Sequence, residues 1–446
     1  MKYVEHIKTI ALFLLIFLSL ALTFSVWTFT PDYDEIEATP AVEVALGESK
    51  SVERVVKPHK VIYHGEEETK GTINQKQVDL LLNTMKEWQI NEIMEVEEDA
   101  SPALLKSYMH DPNRAVVYYP APLPFPVLGS ILQITDESLL EASFDRIVLV
   151  WGKSEQPEMT LYFINSRSGR IHKGNVVSAE LNQFIPRIVE PALSDFDTYI
   201  TEEGVGQMPI YLPENKLTVD TYRYLLEDIP DKKFVDGLFE NPGQVESSGE
   251  LTNEEYSDAS EALMKFDDSK KSIRYVQPQA QTSDPAIPSE LIFDTADWIN
   301  SHSGWTNDYR YFSMEPLSQQ INYRLYLNNL PVFSTALADS LELTWGIDGE
   351  MEQIFRYYRP YYVLESLGEP QPMELASGSS ALHAVSHTKG LKPEAVTDVM
   401  LGYQMTRDEK DPDRLVVLEP TWFYKANGKW TPLSAEELGG DQFGLE

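Results

Sequence analysis

The sequence predicts an α+β protein: one N-terminal transmembrane helix, then a multi-domain extracytoplasmic region of mixed helices and antiparallel sheets. Three observations carry that expectation. Residues 10–29, IALFLLIFLSLALTFSVWTF, contain no charge, proline or glycine. After them, short helical periods and short alternating runs follow one another, separated by turn residues. A hydrophobic share of 42%, with 11% aromatic residues, supplies enough material for buried cores.

Twenty helical residues rise about 30 Å, the thickness of a bilayer's hydrocarbon core. Pro31 follows the run at once. A cleaved signal would have a shorter apolar region ending at a small-residue site. Ser19 and Ala21 have that spacing, but they lie inside the run, which closes on Val26, Trp27, Thr28 and Phe29. Trp27 and Phe29 suit the membrane–water interface and favour an uncleaved anchor. Lys2 and Lys8 precede the run, so the N-terminus is expected in the cytoplasm and the C-terminal part outside, at the cell membrane. Ser19, Ala21, Thr23 and Ser25 are small residues at helical spacing. They would let a partner helix approach closely, although a lone anchor also tolerates them.

With 446 residues, about 150 per domain suggests three domains. The 36 basic and 71 acidic residues leave a net charge of −35. Such a surface repels nucleic acid, and no nucleic-acid partner is expected. Cysteine is absent, so an extracytoplasmic protein of this sequence holds its domains by packing rather than disulfides.

In chain order, residues 1–9 form a cytoplasmic stub, 10–29 the span and 30–49 an acidic tether. An N-terminal α+β domain is expected over 50–195. There, 51–65 alternates like a strand or two, and Asn74 caps a helix whose face is Val78, Leu81, Leu82 and Met85. Ser101-Pro102 opens a second helix that Asp111-Pro112 stops. Residues 114–119 follow as a strand, 121–126 as a proline-rich loop and 136–142 as a helix. Residues 145–151 and 159–165 are then neighbouring strands, before a helix from Ser178 through Val189. A central domain and linker, 196–288, contains expected helices over 218–229 and 231–239, then strands to 276. The C-terminal domain, 289–434, opens with a helix and continues in strands. A second helix holds SSALHAVSH, and Asn427-Gly428 is a hairpin turn. Residues 435–446 are an acidic tail.

No set of residues supports catalysis, a cofactor or a metal. His383 and His387 share a helical face, but HAVSH lacks the glutamate of a zinc-hydrolase helix. No G-x-S-x-G elbow or phosphate loop occurs, and without cysteine there is no thiol nucleophile. The densest aromatic stretch is FRYYRPYYVL at 355–364. Arg356, Tyr357, Tyr358, Arg359 and Tyr361 have the composition of a protein-interaction hot spot; the same pattern also suits the edge of a core.

The opening MKYVEHIKTIALFLLIFLSLALTFSVWTFTPDYD, together with NYRLYLNNLPVF and LEPTWFYKANGKW, resembles the YycH family of Firmicutes. The resemblance implies a non-enzymatic regulator of an essential two-component system of cell-wall homeostasis. It would modulate the sensor histidine kinase WalK (YycG) through transmembrane-helix and extracytoplasmic contacts, beside a YycI-like companion. In the last domain, a helix followed by GYQM, LVVLEPTWFY and NGKW resembles a PepSY-type module. The alternative is a secreted or anchored envelope enzyme, or a PepSY-like inhibitor, acting at the cell wall.

Overall fold

A computed structural model describes residues 6, 8, 12–19 and 46–438, apart from 137–138, 153–158, 178–180, 203–204, 207, 251–252, 350 and 435. The chain separates into two units, 1–44 and 45–446. In the first, residues 12–19 are helical and expose their apolar side chains, Phe17 to 78%. Ala21, Thr23, Ser25, Trp27 and Phe29 lie outside the described residues. Among the described residues, no helix is long and apolar enough to cross a membrane.

The second unit contains two large sheets. The first has ten strands among the described residues. Its middle runs Thr69–Thr72, Lys60–His64, Arg114–Pro124, Ser143–Trp151, Met159–Ile164 and Ile171–Val177, every neighbour antiparallel. The continuous apolar texts AVVYY and IVLVW follow from coverage of both faces. On one face Val61, Ala115, Val117, Ile147 and Leu149 share a core with Val78, Leu81 and Met85 of the helix Gln75–Lys86. On the other, Ile62, Val116 and Val148 meet Leu105 and Met109 of the helix Pro102–His110. Both helices start on the expected caps: Asn74 Oδ1 accepts from Lys76 N at 3.0 Å, and Ser101 Oγ from Leu104 N at 3.3 Å.

Four local expectations are corrected. Residues 52–55 form a helical turn, and the strand begins only at Lys60. The proline-rich 121–126 continues the Arg114–Pro124 strand before a turn of helix, Phe125–Gly129. Pro120 and Pro122 survive there because the ladder to Ser143–Trp151 skips from Tyr118 to Leu123, and Pro124 is the strand's last residue. None of the described residues in 136–142 is helical. The expected helix at 218–229 is a strand, Leu217–Asp228, paired with Leu415–Ala426 on one side and with Tyr362–Ser366 and Gln371–Leu375 on the other. Thr218, Val219, Thr221, Tyr222 and Tyr224 are strand formers, and that double pairing outweighs a weak helical period.

The second sheet has fifteen strands among the described residues and draws on both sides of position 288. Leu263–Asp267 and Ser272–Val276 pair in sequence, and the latter pairs with Met351–Pro360. Ser340–Asp348 and Gln320–Leu327 extend the same antiparallel run. Its buried face, with Ile273, Tyr275, Tyr357, Leu343, Ile321 and Tyr323, shares a core with Leu291, Ile292, Ala296 and Ile299 of the helix Pro288–Ser301. Thr295 Oγ1 and Tyr323 Oη, both buried, hydrogen-bond at 2.8 Å. Asn427 and Gly428 both have positive φ, 51° and 77°, as a tight hairpin turn requires.

Polar contacts fasten the sheets together. Asn329, at φ 68° and 1% exposed, donates through Nδ2 to His59 O at 3.1 Å and Ile73 O at 3.0 Å. Its Oδ1 accepts from Arg310 Nη1 at 2.8 Å. Tyr311 Oη donates to Pro122 O at 2.6 Å. The incoming chain is held at Lys50, whose backbone exchanges two hydrogen bonds with the Asn300 side chain, 2.9 and 3.0 Å long.

Candidate interaction cleft

The sheet that buries Tyr357 and Leu343 on one face leaves its opposite face as the floor of a wide cleft. Alternation along each strand, combined with the pairing register, assembles that floor in two cross-strand rows. Arg274, Tyr358, Glu342, Asn322 and Ser313 form the first. Val276, Arg356, Thr344, Gln320 and Glu315 form the second. The opposite wall comes from the first sheet, with Tyr118, Asp145, Arg146 and Arg167, and from the last hairpin, with Lys425, Asn427 and Trp430. The cleft's volume is about 1710 Å³, well above the roughly 300–1,000 Å³ usual for a small-molecule pocket.

Its charge differs from that of the molecule. The lining holds seven basic residues (Lys60, Arg146, Arg167, Lys270, Arg274, Arg356, Lys425) against six acidic ones (Asp145, Asp267, Glu315, Glu342, Glu394, Asp398), in a chain of 36 against 71. Tyr118 is contacted by two cations: Lys60 Nζ lies 4.8 Å and Arg146 Cζ 4.4 Å from the ring centre. Lys60, 5% exposed, donates to Tyr211 O at 3.2 Å. Burial lowers its ammonium to about 8; Arg146 adds to the shift and Asp398 opposes it. Burial likewise lowers Lys425, against the pull of Asp398, and its Nζ sits 5.7 Å from the Trp430 ring. Arg274 packs on Tyr358 at 6.0 Å. The Asp145 carboxylate is already engaged, accepting from Ser166 N at 2.7 Å and lying 3.0 Å from Arg146 Nη1.

Of the aromatic stretch singled out in the sequence, Arg356 is exposed on the cleft floor and Tyr358 is half-buried there. Tyr357, Arg359 and Tyr361 are buried and present no contact surface. Arg359, 0% exposed, donates to Gly304 O at 2.9 Å, Thr306 Oγ1 at 2.9 Å, Pro360 O at 3.0 Å and Tyr357 Oη at 3.1 Å. Tyr361 donates to the Asp268 carboxylate. These are core fastenings, and the strand's alternation explains the split: positions 356 and 358 face out, 357 and 359 face in. The opposite wall escaped sequence reasoning because Tyr118, Arg146, Lys425 and Trp430 carry no local motif.

His383 and His387 are exposed and stack at 4.1 Å. Among the described residues no group of three His, Cys, Asp or Glu could hold a metal ion.

Two family descriptions match. "YycH protein, C-terminal domain" covers residues 207–437, and "YycH protein, N-terminal domain" covers 5–189. A curated relative, the two-component system WalR/WalK regulatory protein YycH of Bacillus subtilis (strain 168), is 22% identical over 97% of each chain. The crystal structure of YycH from Bacillus subtilis has a TM-score of 0.73 at 19% identity, covering 87% of this chain and 99% of that one. That likeness shows a common mixed α+β fold rich in antiparallel sheet. With more than half of its residues matched by the C-terminal description alone, the chain belongs to the YycH family.

Proposed function

We propose that this chain is a membrane-anchored, non-enzymatic regulator of a two-component system, lying mostly outside the cell membrane. It acts on the sensor histidine kinase WalK (YycG) beside a YycI-like companion, through its membrane helix and its outer unit. The observation that carries this reading is the end-to-end similarity to a protein named as a WalR/WalK regulatory protein, 97% of both chains. The uncharged stretch at 10–29 supports the anchor, and Ser19, Ala21, Thr23 and Ser25 within it are the proposed helix–helix contact. Trp27 and Phe29 would sit at the interface. The helix Gly378–His387 followed by three paired strands is the part to which a PepSY-like assignment applies.

A regulator of this kind works by differential affinity. A tenfold shift between two kinase states requires about 1.4 kcal/mol tighter binding to one of them. The alternative, an envelope enzyme or inhibitor, calls for convergent carboxylates of raised pKa in the cleft. Burial, with Glu352, Glu290 and Asp297, pushes the Asp294 carboxyl up to about 6, but Asp294 does not line that cleft. The test is co-purification from membranes. Wild type should bring down the kinase and a single-span companion, and Ser19→Leu with Thr23→Leu should weaken recovery while membrane insertion stays intact. Equal recovery from the variant would remove the helix contact from the proposal.

A further inference from the structure

We propose that the cleft is a docking groove for an extended, acidic peptide segment of a partner protein. The inference rests on the reading of this chain as a regulator that binds proteins, and it names the surface.

Charge is the first argument. Four cationic heads line the cleft, Arg167, Arg274, Arg356 and Lys425, and no hydrogen bond or ion pair to any of them is formed among the described residues. In a chain of net charge −35, exposed basic groups have many acidic neighbours with which to pair. These instead face a common space from opposite walls. A carboxylate entering between them would gain charge-assisted hydrogen bonds with these heads.

Spacing is the second. Arg274 and Arg356 stand on adjacent antiparallel strands, with Arg274 opposite Tyr358 and Arg356 opposite Val276. Diagonal neighbours of this kind are about 7–8 Å apart. In an extended chain, side chains at i and i+2 point the same way and lie about 6.6 Å apart. An acidic residue at every second position therefore meets the two guanidiniums in step.

The mixed lining decides between a peptide and a phosphate polymer. Glu342 and Glu315 share the floor with the arginines: Glu342 lies beside Tyr358, Thr344 and Gln320 separate Arg356 from Glu315, and Asn322 lies beyond Glu342. A continuous polyanion would be repelled by those glutamates at each pass. A peptide places carboxylates only where cations are, and offers amides to the side-chain amides and hydroxyls.

The test uses the full-length chain in detergent and a short labelled peptide of alternating Glu and Ser. The controls are the matching Lys-Ser peptide and a polyphosphate of equal charge. The Glu-Ser peptide should bind saturably, and salt should weaken it. Reversing the floor, Arg274→Glu with Arg356→Glu, should raise the Kd at least about tenfold. Lys425→Glu on the opposite wall should act in the same direction, and Lys76→Glu, exposed and outside the cleft, should leave binding unchanged. A thermal melt of each variant establishes that it is folded. No saturable binding, equal binding after both reversals, or displacement by polyphosphate at matched charge would each overturn the proposal. None of these results bears on co-purification through the membrane helix, so failure of the docking groove is distinguishable from failure of the regulatory role.

Discussion

Arg356 and Arg359 sit three residues apart on one strand, and their environments are opposite. Arg359 is fully buried and serves four acceptors, all of them uncharged. Replacing it with leucine removes four hydrogen bonds, to Gly304 O, Thr306 Oγ1, Pro360 O and Tyr357 Oη, at a cost of about 3 kcal/mol. Arg356→Leu, on the exposed floor, should stay within about 0.5 kcal/mol. Chemical denaturation of the two variants tests the assignment, which equal midpoints would refute. Asp294 makes a prediction of opposite sign. Its carboxyl is held up to about 6, chiefly by burial and then by three neighbouring acids. The native state therefore favours the protonated form, and the group's contribution to stability falls as pH rises toward 6. Because the side chain is partly exposed, Asp294→Asn should stabilise by no more than about 1 kcal/mol near pH 8 and by nothing near pH 4. A gain that is the same at both pH values would mean that charge is not the cause.

At the scale of elements, what could be read from the sequence was what is encoded locally. The helix Gln75–Lys86 announces itself by a cap at Asn74 and four apolar residues on one face, and the helix Pro102–His110 by Ser101-Pro102 and Asp111-Pro112. The Asn427-Gly428 turn is equally self-contained. The strand Leu217–Asp228 is not: its partners begin at residues 362, 371 and 415, and their pairing fixes its conformation. The cleft was illegible for the same reason. Residues 118, 146, 274, 356 and 425 converge only through the sheets, although alternation already sets Arg274 and Arg356 on the face opposite Tyr275 and Tyr357. The segment 277–288, expected as a linker, is packed against the sheet. Ala280 is buried, and a Cβ built on Gly346 would stand 1.9 Å from its carbonyl oxygen. Gly346→Ala should therefore destabilise the unit by about 1–3 kcal/mol, as overpacking does. Gly243→Ala meets nothing within 4 Å and should be close to neutral. Thermal denaturation separates the two outcomes, and an undisturbed Gly346 variant would show that the linker yields.

For the whole molecule, the sheet that crosses position 288 has a mechanical consequence. Strands on both sides of 288 pair directly, as Ser272–Val276 does with Met351–Pro360, so a partner seated on the cleft floor bears on both segments at once. The unit beyond residue 44 is compact, and the backbone at Lys50 is clipped to the helix Pro288–Ser301 through Asn300. On the proposed reading, contacts made by this unit bias the partner kinase, provided they favour one of its states. The most direct measurement of that claim is the autophosphorylation rate of the sensor kinase in membrane vesicles, with and without the full-length chain. The rate should change when the wild-type chain is added and return toward the kinase-alone value with Ser19→Leu and Thr23→Leu. A rate indifferent to the wild-type chain, with both proteins inserted in the same vesicles, would contradict it.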